Sequence, residues 1–554
     1  VSAVVAPATL KAWLRDGQEE LAILDAREEG EFGAAHLFWA VPCPLSQAEL
    51  RAPRLLPRRS VRIVCTDGGE GYAGRLADLL RGLGCTDVHV LDGGVPGWAA
   101  AGFEVFSGVN VPSKAFGEWV EHHYGTPSIA AEELAALQAE GADLLIVDSR
   151  TPAEFRSMSI PGGISVPGGE LAYRVPSMVA RAETLVVVNC AGRTRSIMGA
   201  ESLRRAGLAN RVVALRNGTM GWELAGFRCD HGKSARYAEG TPPDAADSAA
   251  RARAFAAAQG VKTLDLAGLA ALRADATRTT YLLDVRDAAE FAAGHMPGAL
   301  HAPGGQLVQT TDAWVAVRQA RIVLVDDTGT RAQMTAGWLR QLGGWEVFVL
   351  EGGLSGGTEP SWRPALPDAT PCVSAKDLAA ELAEGRAVVV DLARSIAFRA
   401  GHIPGAVWGV RTRLDRLVPR LPTGRRVVVA APDPALAALA VAELGALVAS
   451  PVAALEGGTE AWAAAGLPLA ADRTDPPDEA CVDAYLRPYD RNHGVEEAMR
   501  AYLSWEIELV EQIARDGDAP FGAWWRPCHD GRTCAPTSPA SAAPCSTRCC
   551  RLRA

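Results

Sequence analysis

Apolar positions along the chain fall in short continuous runs. Four of these end in aspartate: LAILD at 21–25, LLIVD at 144–148, YLLD at 281–284 and VVVD at 388–391. A second set, RIVC at 62–65, LVVVNC at 185–190, RIVLV at 321–325 and RVVVA at 426–430, leads into polar or breaker-rich loops. A third, VHVL at 88–91, VVAL at 212–215, VFVL at 347–350 and VAAL at 452–455, is followed closely by glycine. Runs of this length, rich in Val, Ile and Leu and bounded by Gly, Pro and Asp, predict strands buried on both faces. The segments between them carry helical periodicity, as in YAGRLADLLRGLG (72–84) and SIMGAESLRRAGL (196–208), and end near a glycine that can stop a helix. Alternating strands and helices predict an α/β fold, each sheet parallel and covered on both sides.

The whole pattern recurs four times, and a period of about a hundred residues makes each copy a domain. The copies are expected at 1–107, 128–231, 261–364 and 372–472. The stretch 232–260, poor in large apolar residues and holding Pro242 and Pro243, reads as a linker. Residues 481–522 form a different element, in which VEEAMRAYLSWEIELVEQIARDG predicts one amphipathic helix that packs on the repeats or at a subunit contact. The tail 523–554 shows neither strand nor helix periodicity.

Composition narrows the function classes. The 554 residues amount to several domains at roughly 150 residues each, and 48% hydrophobic with 22% charged residues is ordinary for a globular protein. A net charge of −10 leaves no excess of Lys and Arg to neutralise phosphates, so nucleic acid is not an expected partner. No apolar run of about 18 residues occurs. The first 25 positions carry Lys11, Arg15, Asp16, Glu19 and Glu20, so neither a membrane span nor a signal peptide is expected and the location reads as cytoplasmic. Seven of the twelve cysteines (43, 65, 85, 190, 229, 372, 481) lack paired spacing and are expected to be thiols. The other five crowd the tail near His529, with spacings that miss a zinc pattern; the tail reads instead like translation in a shifted frame of a GC-rich gene.

In the second copy a strand runs directly into Cys190-Ala-Gly-Arg-Thr-Arg-Ser196 and then a helix. A loop between a parallel strand and a helix N-terminus turns backbone N–H groups inward and makes an anion cradle. Cys190 is placed at its base. The amides of Ala191, Gly192, Arg193, Thr194, Arg195 and Ser196, the positive helix end and the two arginine side chains are expected to favour the thiolate, which is the nucleophilic form.

This loop, the recurring Asp-Arg strand ends, the GHMPGA and GHIPGA turns and the GGVPGW and GGTEAW endings together resemble tandem rhodanese-type sulfurtransferases over about residues 1–472. The resemblance implies that Cys190 takes sulfane sulfur from a donor as a persulfide and passes it to a thiophilic acceptor. Residues 191 to 196 then form the anion cradle, and no metal or organic cofactor is implied. Thiosulfate is the first donor to try, because two arginines suit a doubly charged anion. Cyanide would serve as acceptor in an assay, and sulfite, glutathione or a protein thiol in the cell. Related phosphatases carry Cys-x5-Arg, whereas Cys190 to Arg195 is Cys-x4-Arg; the Gly-Ser-Gly-like loop of the mercaptopyruvate branch is absent. Two other readings stand beside this one: a persulfide carrier serving a protein partner, and a non-catalytic scaffold. Oligomeric state is not legible.

The remaining copies differ at the loop. The first keeps Cys65 as a secondary candidate, but Asp67 and Glu70 would repel an anionic donor and raise a thiol pKa. The third has Asp327 at the cysteine position and the fourth has Ala431 or a neighbour, followed by Pro-Asp-Pro, so one active centre is expected. The pairs Asp25–Arg27, Asp148–Arg150, Asp284–Arg286 and Asp391–Arg394 read as structural ion pairs, and His295 and His402 as turn residues. Trp98, Trp222 and Trp462 read as packing for the last helix of their repeats.

Overall fold

The computed structural model describes residues 3–352, 354, 357 and 370–522; the tail, with its cysteines and His529, lies outside them. Every repeat is built on five parallel strands in the order 1-5-4-2-3. In the second repeat these are Ser128–Ile129, Val212–Leu215, Leu185–Asn189, Leu144–Asp148 and Ile164–Ser165. All residues of Leu21–Asp25, Leu185–Asn189 and Ala387–Asp391 are buried, which is why these strands read as continuous apolar runs. The first sheet gains a sixth strand, Val317–Arg318, which the third repeat lends to it antiparallel to Leu21–Asp25.

The repeats are fused rather than strung. The first and third share one apolar core, which also takes in the connecting helix Val111–Tyr124 and, through Leu509 and Ile513, the C-terminal helix Val495–Asp516. The fourth docks on the first by charge: Arg411 grips Glu49 at 2.8 Å and Arg413 reaches Glu31 at 2.5 Å. The second and third meet backbone to backbone at Gly169 and Gly305. A Cβ on Gly305 would lie 2.6 Å from the Gly169 nitrogen, so a side chain there would force the two repeats apart. Beside this contact the fully buried Arg331 crosses from the third repeat to Glu170 of the second at 2.9 Å.

Two expectations need correction. Residues 232–260 are more than a linker, because Ala245–Ala258 form a helix with Ser248, Ala252, Phe255 and Ala256 buried. It packs on the helix Thr330–Leu342, where Phe255 occupies the space beside Gly337. The small residues that lower its apolar content are what permit this close approach. The Asp–Arg pair is buried and charge-paired in three repeats, at 2.6, 2.7 and 2.6 Å for Arg27, Arg150 and Arg286. In the fourth the spacing is one residue longer. Arg394 turns outward to Glu29 of the first repeat at 2.8 Å, and Asp391 accepts from the Ala393 amide instead.

His295 and His402 stack on Phe291 and Phe398 with ring centroids 3.9 Å apart, as turn residues. The indoles of Trp98, Trp222 and Trp462 donate to the carbonyls of Glu104, Arg228 and Pro468, closing the last helix of each of these repeats. No described helix is long and apolar enough to cross a membrane.

Candidate active site

Asn189 pairs with Asp148 as the last ladder residue of its strand, so Cys190 is the first residue beyond the sheet. The chain from Cys190 turns over the sheet edge into the helix Thr194–Arg205. The amides of Thr219 and Met220 donate to the carbonyls of Cys190 (2.9 Å) and Ala191 (3.0 Å), pinning the loop to the start of the repeat's last helix. Gly218 permits this approach: its φ is +55°, and a Cβ there would sit 2.3 Å from the Cys190 oxygen.

Cys190 is 2% exposed. Burial pushes its thiol up, against the pull of Arg195 and of hydrogen bonds from Ser196, while the nearby Glu506 carboxylate adds to the rise. The direction is opposite to the sequence-based expectation, because desolvation of a charge outweighs the two stabilising contacts.

The arginines of the loop are already engaged. Arg193 grips the buried Glu118 with two hydrogen bonds of 2.8 Å and also binds Glu121, both on the connecting helix Val111–Tyr124. Arg195 makes a two-point contact of 2.8 Å and 2.8 Å with Glu154. Burial disfavours the Glu154 carboxylate, yet Arg195 overcomes this and holds it well below the usual carboxylate range. Of these partners only Glu154 left a trace in sequence, as the EF of PAEF that recurs as AAEF at Glu290, each closing a capping box with Thr151 or Asp287. Glu118 and Glu121 sit on an element outside the repeat unit and carry no such mark.

The C-terminal helix lies over the loop. Met220 packs with Met499 and Leu503 in a small apolar cluster that Ala191, Tyr489 and Tyr502 border. A Cβ on Gly192 would meet Glu506 at 3.0 Å and the Tyr502 ring at 3.2 Å. Thr194 donates to Glu506 at 3.2 Å, and Lys114 does so at 3.0 Å. On the other side, a cleft between the second and third repeats reaches Thr194 and Arg195 past Met198 and Trp338.

Strand register fixes the counterparts of Cys190. Thr66, Val325 and Ala430 end their strands opposite Asp25, Asp284 and Asp391, as Asn189 does opposite Asp148. The residues that follow are Asp67, Asp326 and Ala431. Cys65 therefore stands two positions early, inside the strand Arg62–Thr66 with no exposed surface, and burial raises its thiol strongly. In the third repeat the equivalent residue is Asp326, not Asp327, whose carboxylate instead pairs with Arg331 at 2.5 Å. Asp67 accepts from the amides of Gly69 (3.0 Å) and Ala73 (2.9 Å), and Asp326 from those of Gly329 (2.7 Å), Arg331 (2.9 Å) and Ala332 (3.2 Å). In both repeats the loop's amide cradle is filled by its own carboxylate.

A family model for the rhodanese-like domain matches residues 6–101, 130–225, 266–359 and 374–465. A solved structure of a thiosulfate sulfurtransferase from Pseudomonas aeruginosa is 47% identical, with a TM-score of 0.86 over 94% of this chain and 99% of that one. A sulfurtransferase of Allochromatium vinosum is 32% identical over 99 residues, 18% of this chain and 90% of that protein. The uncharacterized protein YqhL of Bacillus subtilis is 33% identical over 84 residues, 15% of this chain, and the match spans 65% of its own length.

Proposed function

The chain belongs to the rhodanese family as a tandem of four rhodanese-like domains, and we propose that it is a sulfurtransferase whose one reactive centre is Cys190. The observation that carries this reading is the register: of the four equivalent strand-end positions, Cys190 alone is a thiol, the others being Asp67, Asp326 and Ala431. Thiosulfate is the proposed donor, in keeping with the name of the solved relative that this chain matches along nearly its whole length.

The Cys190 thiolate attacks the outer sulfur of thiosulfate. The sulfur–sulfur bond to the sulfonate breaks, and sulfite leaves with the electron pair. An acceptor nucleophile such as cyanide then takes the terminal sulfur of the persulfide and returns the thiolate. Ser196 stabilises the thiolate by hydrogen bonding, and Arg195 lowers its cost by charge. The seven cysteines among the described residues are all free, in keeping with a reducing, cytoplasmic setting. The first and third repeats, their cradles self-filled, serve as structure around the second.

The test is thiosulfate-to-cyanide transfer by the full chain and by Cys190→Ser. The reading expects turnover in the first and none in the second; equal turnover in both would reject it.

A further inference from the structure

The C-terminal helix Val495–Asp516 belongs to none of the four repeats, yet it brings a carboxylate onto the Cys190 loop. Glu506 is 1% exposed. One of its oxygens accepts from Lys114 at 3.0 Å, Thr194 at 3.2 Å and Tyr502 at 3.2 Å. The other accepts from no described residue, and it is this oxygen that lies 3.0 Å from where a Cβ on Gly192 would be. A buried carboxylate oxygen left without a donor is costly. Here it lies against the loop at Gly192, two residues from Cys190, where its charge acts on the sulfur-accepting centre.

The charge around the loop points the same way. Arg193 is held by Glu118 and Glu121, Arg195 by Glu154, and Lys114 by Glu506. Arg487 also approaches Glu154, at 3.8 Å; four cations thus face four carboxylates, and the cradle offers no surplus positive charge to a dianion. We infer that Glu506 determines donor specificity: its free oxygen disfavours doubly charged sulfur donors relative to singly charged ones. The inference rests on Cys190 as the sulfur-accepting residue and adds a selective element from outside the family domain.

Two donors separate the charge from the chemistry. Thiosulfate, a dianion, gives its outer sulfur to the thiolate and leaves as sulfite. Benzenethiosulfonate, a monoanion, gives the same sulfur and leaves as benzenesulfinate. In each case one sulfur–sulfur bond forms and one breaks, with no net change of proton or electron. The kcat/KM ratio of thiosulfate to benzenethiosulfonate is measured for the full chain, Glu506→Gln and Glu506→Ala. Removing one negative charge at this range is expected to raise the ratio about three- to tenfold in both variants. An unchanged or lower ratio in a variant that melts like the parent overturns the inference.

A measurement on the parent itself does not depend on the variants folding. Sulfate is expected to inhibit benzenethiosulfonate turnover no more tightly than methanesulfonate does, and tenfold tighter sulfate would overturn the inference. If neither donor places sulfur on Cys190 of the parent chain, the sulfurtransferase reading falls and takes this inference with it. If both donors load and only the ratio fails to move, the inference falls alone.

Discussion

Arg331→Met tests how the second and third repeats are joined. Arg331 is fully buried and meets Glu170 at 2.9 Å, Glu290 at 2.5 Å, Asp327 at 2.5 Å and Asp326 at 4.0 Å. Removing one partner of a buried charge cluster leaves uncompensated charge and costs about 3–5 kcal/mol. Glu170 keeps a second cation, Arg174 at 2.9 Å, which places the loss near the lower end, about 3 kcal/mol. For a cooperative unit of about 200 residues, each kcal/mol moves the melting temperature by roughly 2–4 °C. Scanning calorimetry is therefore expected to show the transition of these repeats about 6–12 °C lower in Arg331→Met. In a Glu170→Gln background the same substitution should cost clearly less, because one of the carboxylates that Arg331 neutralises is already gone. A shift below about 2 °C, or an equal shift in both backgrounds, would mean that Arg331 does not hold these two repeats together.

Cys65→Ala should leave turnover within about twofold of the parent, since this thiol sits inside its strand with no exposed surface; a steady-state assay that finds activity abolished would contradict the register. Arg150→Ala should cost about 3 kcal/mol or more because its pair with Asp148 is buried. Arg394→Ala should cost less than about 1 kcal/mol, because its pair with Glu29 is half exposed; urea denaturation of the two variants checks the contrast. Burial raises the Cys190 thiol, and only the thiolate attacks, so the rate of sulfur loading should climb with pH to a midpoint above the ordinary thiol value of about 8.5. A midpoint at or below about pH 7.5 in stopped-flow loading would show that the loop stabilises the thiolate more than burial opposes it.

The buried parallel strands and the fourfold repeat were legible because strands buried on both faces must be apolar throughout, and the chain repeats that signal at 21–25, 144–148, 281–284 and 388–391. Register was not. Matching Cys65 to Cys190 by residue type puts the first repeat two positions out, because an apolar run does not mark where its ladder ends; the hydrogen-bonded pair Asp25–Thr66 does. The same ambiguity moved the third repeat from Asp326 to Asp327. The Cys190 loop was legible as a strand-to-helix turn, but its electrostatics were not. Arg193 and Arg195 look like free cations in sequence, and their partners Glu118, Glu121 and Glu154 lie 75, 72 and 41 residues away. Glu506 is 312 residues from Thr194, on a helix whose periodicity shows an apolar face but not what that face covers.

Cys190 is expected to carry the transferred sulfur. Intact-protein and peptide mass spectrometry of the full chain after exposure to thiosulfate, and again after cyanide, tests it most directly. One added sulfur is expected, located on Cys190, and cyanide should remove it. An unmodified Cys190 in a chain that turns over thiosulfate, or a sulfur carried on Cys65 instead, would contradict it.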